Sequence, residues 1–536
     1  MRPDINNLQN RLLKALTGSI FLLPIIALVL KIFEPNQTQN PSQFFLKLLP
    51  EYLINSILLV TQTTIISCVM GITIAFILNY CDIPYKKIFK IITILPLGFP
   101  LYIGSFIYIG IFDYSGAIPT FFREFFAINI KHIFNIKSSF GISLIFSLFV
   151  TPYMIILCER AFNSLGHFPW VLSQSMGKST FTTITKIILP SSMPWILSAC
   201  AIISMETLAD FGGVSAFNYD TLTTGIYTAW TGLYSFSLAV KLALILLLFA
   251  ICFLLFEEKF ASKKGFVKMN KQSSHKFSIQ LNITQKLICT TIILIYITFS
   301  LIIPIFQLLY WSINTFNMEW SNDYIELIKN TVYLGVIGAP IILFGSLIHS
   351  ILFINRKGKF ERSMLIIGLL GYSIPGPIIA LALYSLGHFI IKMSGLKILL
   401  TGNIVILIIA YYYRFNAIGF RGMDSGLKRL NKKYDLFCRL SGISYFKKIF
   451  SVYIPLLKNG ISFTFLLLFI EIIKEMPLTL MLRPLNINTL PVKIYELTSE
   501  GEWERSAIAG ILLIMITLPL TFYFTYKNDK LDERLS

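Results

Sequence analysis

The sequence predicts an all-α polytopic membrane protein: two tandem six-helix halves in parallel repeat, with about 12 transmembrane helices. Three observations predict it. Of 536 residues, 55% are hydrophobic and only 14% are charged, and the mean hydropathy is +0.71. A soluble chain would carry about 25% charged residues. Apolar runs long enough to cross a ~30 Å hydrocarbon core recur from end to end, and a helix satisfies its own backbone hydrogen bonds in lipid. Finally, landmarks in the first half of the chain return in the second at fixed offsets.

Twelve spans are indicated by the apolar runs, near 15–33, 52–79, 88–112, 140–160, 191–212, 236–256, 284–312, 328–354, 363–388, 402–416, 457–476 and 507–526. They divide the chain into a first six-span half (1–256), a basic linker (257–283) and a second six-span half (284–536). The linker carries Lys259, Lys263, Lys264, Lys268, Lys271 and Lys276, which marks it as cytoplasmic. Cations also follow span two (Lys86, Lys87, Lys90), span eight (Arg356, Lys357, Lys359, Arg362) and span ten (Arg421, Lys428, Arg429, Lys432, Lys433). The opposite loops are poor in them: 34–45 has no Lys or Arg, and 319–326 has none either. Both termini are therefore expected in the cytoplasm. The net charge of +19 is explained by these short loops, so no nucleic-acid partner is expected. The first apolar run has no small-residue cleavage site behind it and reads as a retained span. The seven cysteines form no Cys-x-x-Cys pair and read as small buried hydrophobes.

The repeat is specific. Gly177 and Gly442 are 265 apart, as are Pro190 and Pro455, Glu206 and Glu471, and Asp210 and Glu475. Asn55 pairs with Asn330 and Pro100 with Pro375, both 275 apart. Six spans per half is an even number, so both halves cross the membrane in the same sense.

One motif points elsewhere at first sight. Gly177-Lys178-Ser179-Thr180 has the ending of a phosphate-binding P-loop, whose full pattern needs a glycine five residues upstream, between a strand and a helix. Leu172 stands there, and the preceding Phe168-Pro169-Trp170-Val171 offers no glycine turn. The stretch belongs instead to a repeated loop. VLSQSMGKSTFTTITKIILP ends at Pro190 and LFCRLSGISYFKKIFSVYIP at Pro455. In each, a Gly is followed by nine residues, then an aliphatic, any residue, an aliphatic and Pro: Gly177 with Ile187, Leu189 and Pro190, and Gly442 with Val452, Ile454 and Pro455. Gly suits the turn and Pro the start of the next helix.

This pattern resembles the cytoplasmic coupling loop, the "EAA" loop, of ABC importer permeases, although Val171-Leu172-Ser173 and Leu436-Phe437-Cys438 stand where Glu-Ala-Ala is usual. The stretches Met205–Trp230 and Glu471–Ala507 resemble the permeases of bacterial ferric-iron ABC importers, single chains with two fused halves. The resemblance implies a type I importer-like fold in the bacterial inner membrane and a transport subunit rather than an enzyme. It implies a cytoplasmic ABC ATPase dimer and a periplasmic ferric-iron-binding protein as partners. ATP and Mg would then be held by the ATPase, with no cofactor on this chain. Fused permeases for thiamine share the architecture, so thiamine or another small cation stands as the alternative substrate.

Four acids are the candidate pathway or gate residues. Glu206 and Asp210 are four apart, on one face of a helix end, and Glu471 and Glu475 repeat them. An ionised side chain in a span costs about 2.5–3.5 kcal/mol on insertion scales, so it faces a partner or a wet cavity. Two readings stand: the acids give a passing cation a negative field, or Lys474 and Arg483 neutralise them and hold span ends together. Tight coordination does not fit a pathway that must release its ion, and no metal-ligand set is assigned. Pro96, Pro100, Pro375 and Pro377 read as kinks, Tyr411, Tyr412 and Tyr413 as an interfacial belt, and the five histidines show no ligand spacing. Twelve spans in parallel halves also describe an ion-gradient-driven secondary transporter; the paired loops weigh against that class.

Overall fold

The computed structural model describes residues 3–31, 41–127, 135–166, 168–261, 278–353, 358–395, 402–429, 440–441 and 449–535. Among them, eleven helices are long and apolar enough to cross a membrane, and twelve when Phe450–Lys458 and Gly460–Lys474, bent by 67°, count as one span. The twelve expected runs and these helices correspond one to one.

Two expected spans differ in form. Span three was expected as one run over 88–112, and span nine over 363–388. The chain instead makes the helix Lys86–Ile92, a 3₁₀ turn at Leu95–Gly98 and a new helix Leu101–Phe112. It repeats this as Lys359–Leu369, Leu370–Ser373 and Gly376–Ser394. The cause is Pro100 and Pro375, which stand in extended conformation just before the second helix of each set. A proline lacks the N–H that would continue the preceding helix and restricts the residue before it. These prolines break the span rather than kink it.

The helix Pro3–Leu30 contains Pro24, which leaves the carbonyl of Ile20 without its i+4 donor. The Tyr413 hydroxyl donates to that carbonyl. Some hydroxyls are satisfied within their own helix: Thr151 Oγ1 donates to Ser147 O at 2.6 Å and Thr331 Oγ1 to Leu327 O at 2.7 Å. Tyr411 is not part of a surface belt. It is fully buried, with its hydroxyl 2.6 Å from Thr479 Oγ1.

The described chain groups into two compact units. The first comprises Met1–Pro41, Ile226–Leu248 and Ser321–Lys493. In it the N-terminal helix packs on Lys359–Leu369 and Gly376–Ser394, while Asp323–Leu352, Ile404–Arg429 and Ile454–Lys474 form a three-helix core. The second comprises Ser42–Gly225, Phe249–Trp320 and Ile494–Ser536. Here Ser139–Leu165 packs on Leu189–Ala209, and Ile303–Glu319 packs on Trp503–Leu535. Each unit therefore holds the middle spans of one sequence half together with outer spans of the other.

Each unit ties its borrowed first span with a lysine. In the first, Lys14 Nζ lies 2.7 Å from Glu361 Oε1, with side chains 8% and 16% exposed. In the second, Lys286 Nζ lies 2.7 Å from Asp82 Oδ2, at 36% and 46%. Next to the latter, Ile279 N–H donates to Tyr80 O at 2.7 Å and Asp82 N–H to Ile279 O at 3.3 Å.

Candidate functional site

The first loop begins where span four ends, at Gly166 with φ +61°. A short helix, Phe168–Ser175, comes next. Trp170 anchors it: the indole is 1% exposed and its ring centroid lies 5.3 Å from that of Tyr80. The helix ends at Gly177, whose φ of +64° is the left-handed conformation that favours glycine. Lys178 N–H donates to Ser173 O at 2.9 Å, the six-to-one bond that closes a helix over a glycine. Ser179 then caps the next turn, its Oγ accepting from Thr182 N–H at 3.2 Å. Thus Gly177-Lys178-Ser179-Thr180 is a helix stop followed by a helix start. It lies between two helices, with no strand before it, so it is not a phosphate cradle. Val171, Met176 and Phe181 stand exposed on this elbow.

The chain enters the next span through a π-helical turn, Ile184–Ile188, and continues as Leu189–Ala209 with Pro190 in the first turn. The second half does the same: a π turn at Ile449–Tyr453, then Ile454–Lys474 with Pro455 in the first turn. The extra residue in a π turn rotates the remainder of the helix about its axis. Its effect on burial is the same in both halves. Ile187 and Leu189 are half-buried and Pro190 is exposed, as are Val452, Ile454 and Pro455 respectively. The residue between the two aliphatics is the buried one: Ile188 at 0% and Tyr453 at 5%. Tyr453 packs with Leu347, Ile351, Met423, Leu427 and Leu457. The two aliphatics of the motif thus stand half-buried on either side of the buried residue. Gly442 and the triplet Leu436-Phe437-Cys438 lie outside the described residues.

At the far end of each of these helices stands an acid. Leu189–Ala209 stops at Asp210, which turns extended (φ −68°, ψ 134°), and Ile454–Lys474 stops at Glu475 in the same way (φ −71°, ψ 116°). Each acid then caps the short helix beyond it. Asp210 Oδ2 accepts from Val214 N–H at 3.1 Å, and Glu475 Oε1 accepts from Leu478 N–H at 3.1 Å. Backbone carbonyls match too: Thr223 Oγ1 donates to Asp210 O and Thr479 Oγ1 to Glu475 O, both at 2.8 Å. A glycine backs each corner. A Cβ on Gly213 would come within 2.7 Å of Asp210 Oδ2, and one on Gly376 within 3.1 Å of Glu475 Oε1. One more bond repeats: Leu222 N–H donates to Ser56 Oγ at 3.0 Å and Leu490 N–H to Thr331 Oγ1 at 2.9 Å.

The corners differ in charge. Glu475 is buried and its Oε2 lies 3.0 Å from Arg414 Nε. At the matching place, 265 residues earlier, stands Phe149. Asp210 is half-buried, and no cation lies within ion-pair distance of it among the described residues. Glu471 pairs with Lys474 at 3.1 Å, as one of the two sequence readings had it. Arg483, the other expected partner, donates from Nη1 to Ile487 O at 3.5 Å. Glu206 is half-buried on the last turn of its helix. Arg414 was missed in the sequence. Its signal was a lone arginine inside span ten, which by itself marks a site of interest.

Residues 341–536 match the family described as the binding-protein-dependent transport system inner membrane component. Across 94% of its length the chain is 25% identical to the Fe(3+)-transport system permease protein FbpB 2 of Haemophilus influenzae, covering 96% of that protein. It is 22% identical to the ferric transport system permease protein FbpB of Actinobacillus pleuropneumoniae, over 94% of this chain and 75% of that one. A shorter stretch, 36% of the chain, is 22% identical to 68% of the sulfate transport system permease protein CysT of Salmonella typhimurium. With its many apolar helices the chain is a multi-pass protein of the inner membrane, and its residues 341–536 are similar to the membrane components of binding-protein-dependent transport systems.

Proposed function

We propose that this permease imports ferric iron, powered by a separate ATPase dimer and supplied by a periplasmic ferric-iron-binding protein. The observation that carries the reading is a lever in the first half, in which one helix joins an exposed elbow to an acid corner, and whose helix and corner recur in the second half. Leu189–Ala209 has 21 residues, about 32 Å at 1.5 Å per residue. A push on Val171, Met176 and Phe181 from the cytoplasm is carried along it to Glu206 and Asp210. The second half has a counterpart helix from Val452, Ile454 and Pro455 to Glu471 and Glu475, and the sequence repeat would put Gly442 where Gly177 stands in the first. Both termini and the basic linker then face the cytoplasm. ATP and Mg reside on the ATPase, and this chain holds no nucleotide or other cofactor. The acids lend the passing cation a negative field without caging it. Iron as the cargo is supported by the names of the relatives that align end to end.

The test is reconstitution in proteoliposomes with and without the ATPase and the binding protein, following radioactive Fe³⁺ with thiamine as competitor. ATP-dependent iron uptake that needs both partners and ignores thiamine is expected. Uptake without an ATPase would favour the ion-gradient class, and competition by thiamine would reassign the substrate. Glu206→Gln together with Glu471→Gln should lower uptake while leaving ATP hydrolysis responsive to the binding protein. Unchanged uptake would remove these acids from the pathway.

A further inference from the structure

Within the first compact unit, between the N-terminal helix and the helices Asp323–Leu352 and Ile404–Arg429, lies a cavity of about 150 Å³. His349 lines it together with Thr17, Ile20, Phe21, Ile348 and Tyr412. Its mouth is apolar and open, since Ile20 is 50% exposed and Ile348 44%. Both belong to membrane spans, so the medium at the mouth is the bilayer. A narrower cleft continues along the same face of the N-terminal helix. It shares Phe21 and adds Pro24, Ile25, Ile374 and Ile378.

The imidazole gives this apolar space one directed polar group. Asn416 Nδ2 donates to Gly368 O at 2.9 Å and lies 2.9 Å from His349 Nδ1. Asn416 Oδ1 accepts from Ser346 Oγ at 3.0 Å, which fixes the orientation of the amide. An amide nitrogen only donates, so Nδ1 accepts and the neutral ring carries its hydrogen on Nε2. Among the described residues no acceptor meets that hydrogen, although His349 is only 3% exposed. A donor on the wall of an apolar cavity calls for an acceptor. The level is also defined. His349 is in the last turn of its helix, and nearby Lys14 Nζ pairs with Glu361 and stands 5.9 Å from the Phe353 ring. This is where a span meets the interfacial layer of the membrane.

We infer that the cavity is a binding site for a membrane phospholipid. One acyl chain lies in the cleft beneath the N-terminal helix, and its ester carbonyl oxygen accepts the hydrogen of His349 Nε2. A hydrocarbon chain alone would leave the N–H unmet, and a headgroup phosphate lies too far out. The bound lipid fills the gap between the N-terminal helix and the core it wraps.

The permease, in its complex in native membranes, is labelled with a phosphatidylethanolamine bearing a diazirine midway along one acyl chain, and the labelled peptides are mapped. Label concentrated in 13–31 and 341–353 is expected. Ile348→Trp plugs the mouth without touching Asn416, and should lower that label at least tenfold. Thr17→Phe serves as a second plug should the first not fold. Equal labelling in a folded plugged variant, or label spread evenly over the lipid-facing residues, overturns the site. Label from a diazirine fatty acid but not from the phospholipid overturns the assignment of the ligand. Each outcome reads out whether or not the complex transports iron.

Discussion

The corners at Asp210 and Glu475 share a backbone and differ in charge. Both end a 21-residue helix, both cap the next helix, and both are backed by a glycine. Only Glu475 has a guanidinium beside it. The shared part is what a helix stop demands, an acceptor for free N–H groups. The different part is what a repeat can vary once that demand is met. A neutralised corner adds stability and little field, whereas an acid with no cation beside it has no counter-charge to cancel its field when it is ionised. The first-half corner is accordingly the stronger candidate for attracting a cation, and the second for holding its unit together.

The largest effect should separate these roles directly. Glu475→Gln keeps the cap but strands Arg414, and breaking a buried pair in this way costs about 3–5 kcal/mol. Asp210→Asn also keeps an acceptor and strands nothing, so it should cost about 1 kcal/mol, the difference between a charged and a neutral hydrogen bond. Thermal unfolding in detergent measures both. Equal losses would show that Arg414 is not what distinguishes the corners. Iron uptake should run the other way, falling further in Asp210→Asn than in a stabilised Arg414→Leu, Glu475→Gln double variant.

The lysine ties extend the contrast to the span ends. Lys14→Met removes one side of a buried pair and should cost about 3 kcal/mol. Lys286→Met touches an exposed pair, which salt and water already weaken, and should be hard to resolve. A comparable drop in both would mean that burial does not set their worth. Where the corners agree, the effects should agree. Ser56→Ala and Thr331→Val each leave a buried N–H unmet, on Leu222 and Leu490, and should cost about 1–3 kcal/mol alike. The smallest effect concerns pH. Lys286 beside Asp82 holds that carboxyl below its ordinary range. A depressed carboxyl stabilises the fold above its unfolded pKa, and that contribution fades as pH falls through the folded value. Asp82→Asn should therefore lower stability slightly at neutral pH, flatten its acid-side decline and leave stability at low pH unchanged.

Much of this was legible in the residues. Hydropathy located the twelve runs because lipid imposes length and composition on every span. The fixed offsets located the helices that follow the two Gly motifs and the acids at their far ends. Three things were not legible, each for a physical reason. Pro100 and Pro375 break their spans, but a proline in an apolar run does not reveal whether neighbours will satisfy the freed carbonyls. The burial of Ile188 and Tyr453 depends on a π turn, for which sequence has no periodic signal. The pairing of Arg414 with Glu475 joins spans ten and eleven, and one-dimensional spacing does not report contacts between helices. Tyr411 was read as interfacial for the same reason, since its partner Thr479 lies in a different element.

The exchange of outer spans has a consequence for how the protein is made. When a ribosome has delivered residues 1–256, neither compact unit is complete. The four middle spans already made still await Ile303–Glu319 and Trp503–Leu535, and the N-terminal helix has no core to wrap. Folding of both units must therefore finish late: the first needs residues up to Lys493, and the second waits for the C-terminal helix Trp503–Leu535. A gene cut at the linker would yield two products that each wait for the other.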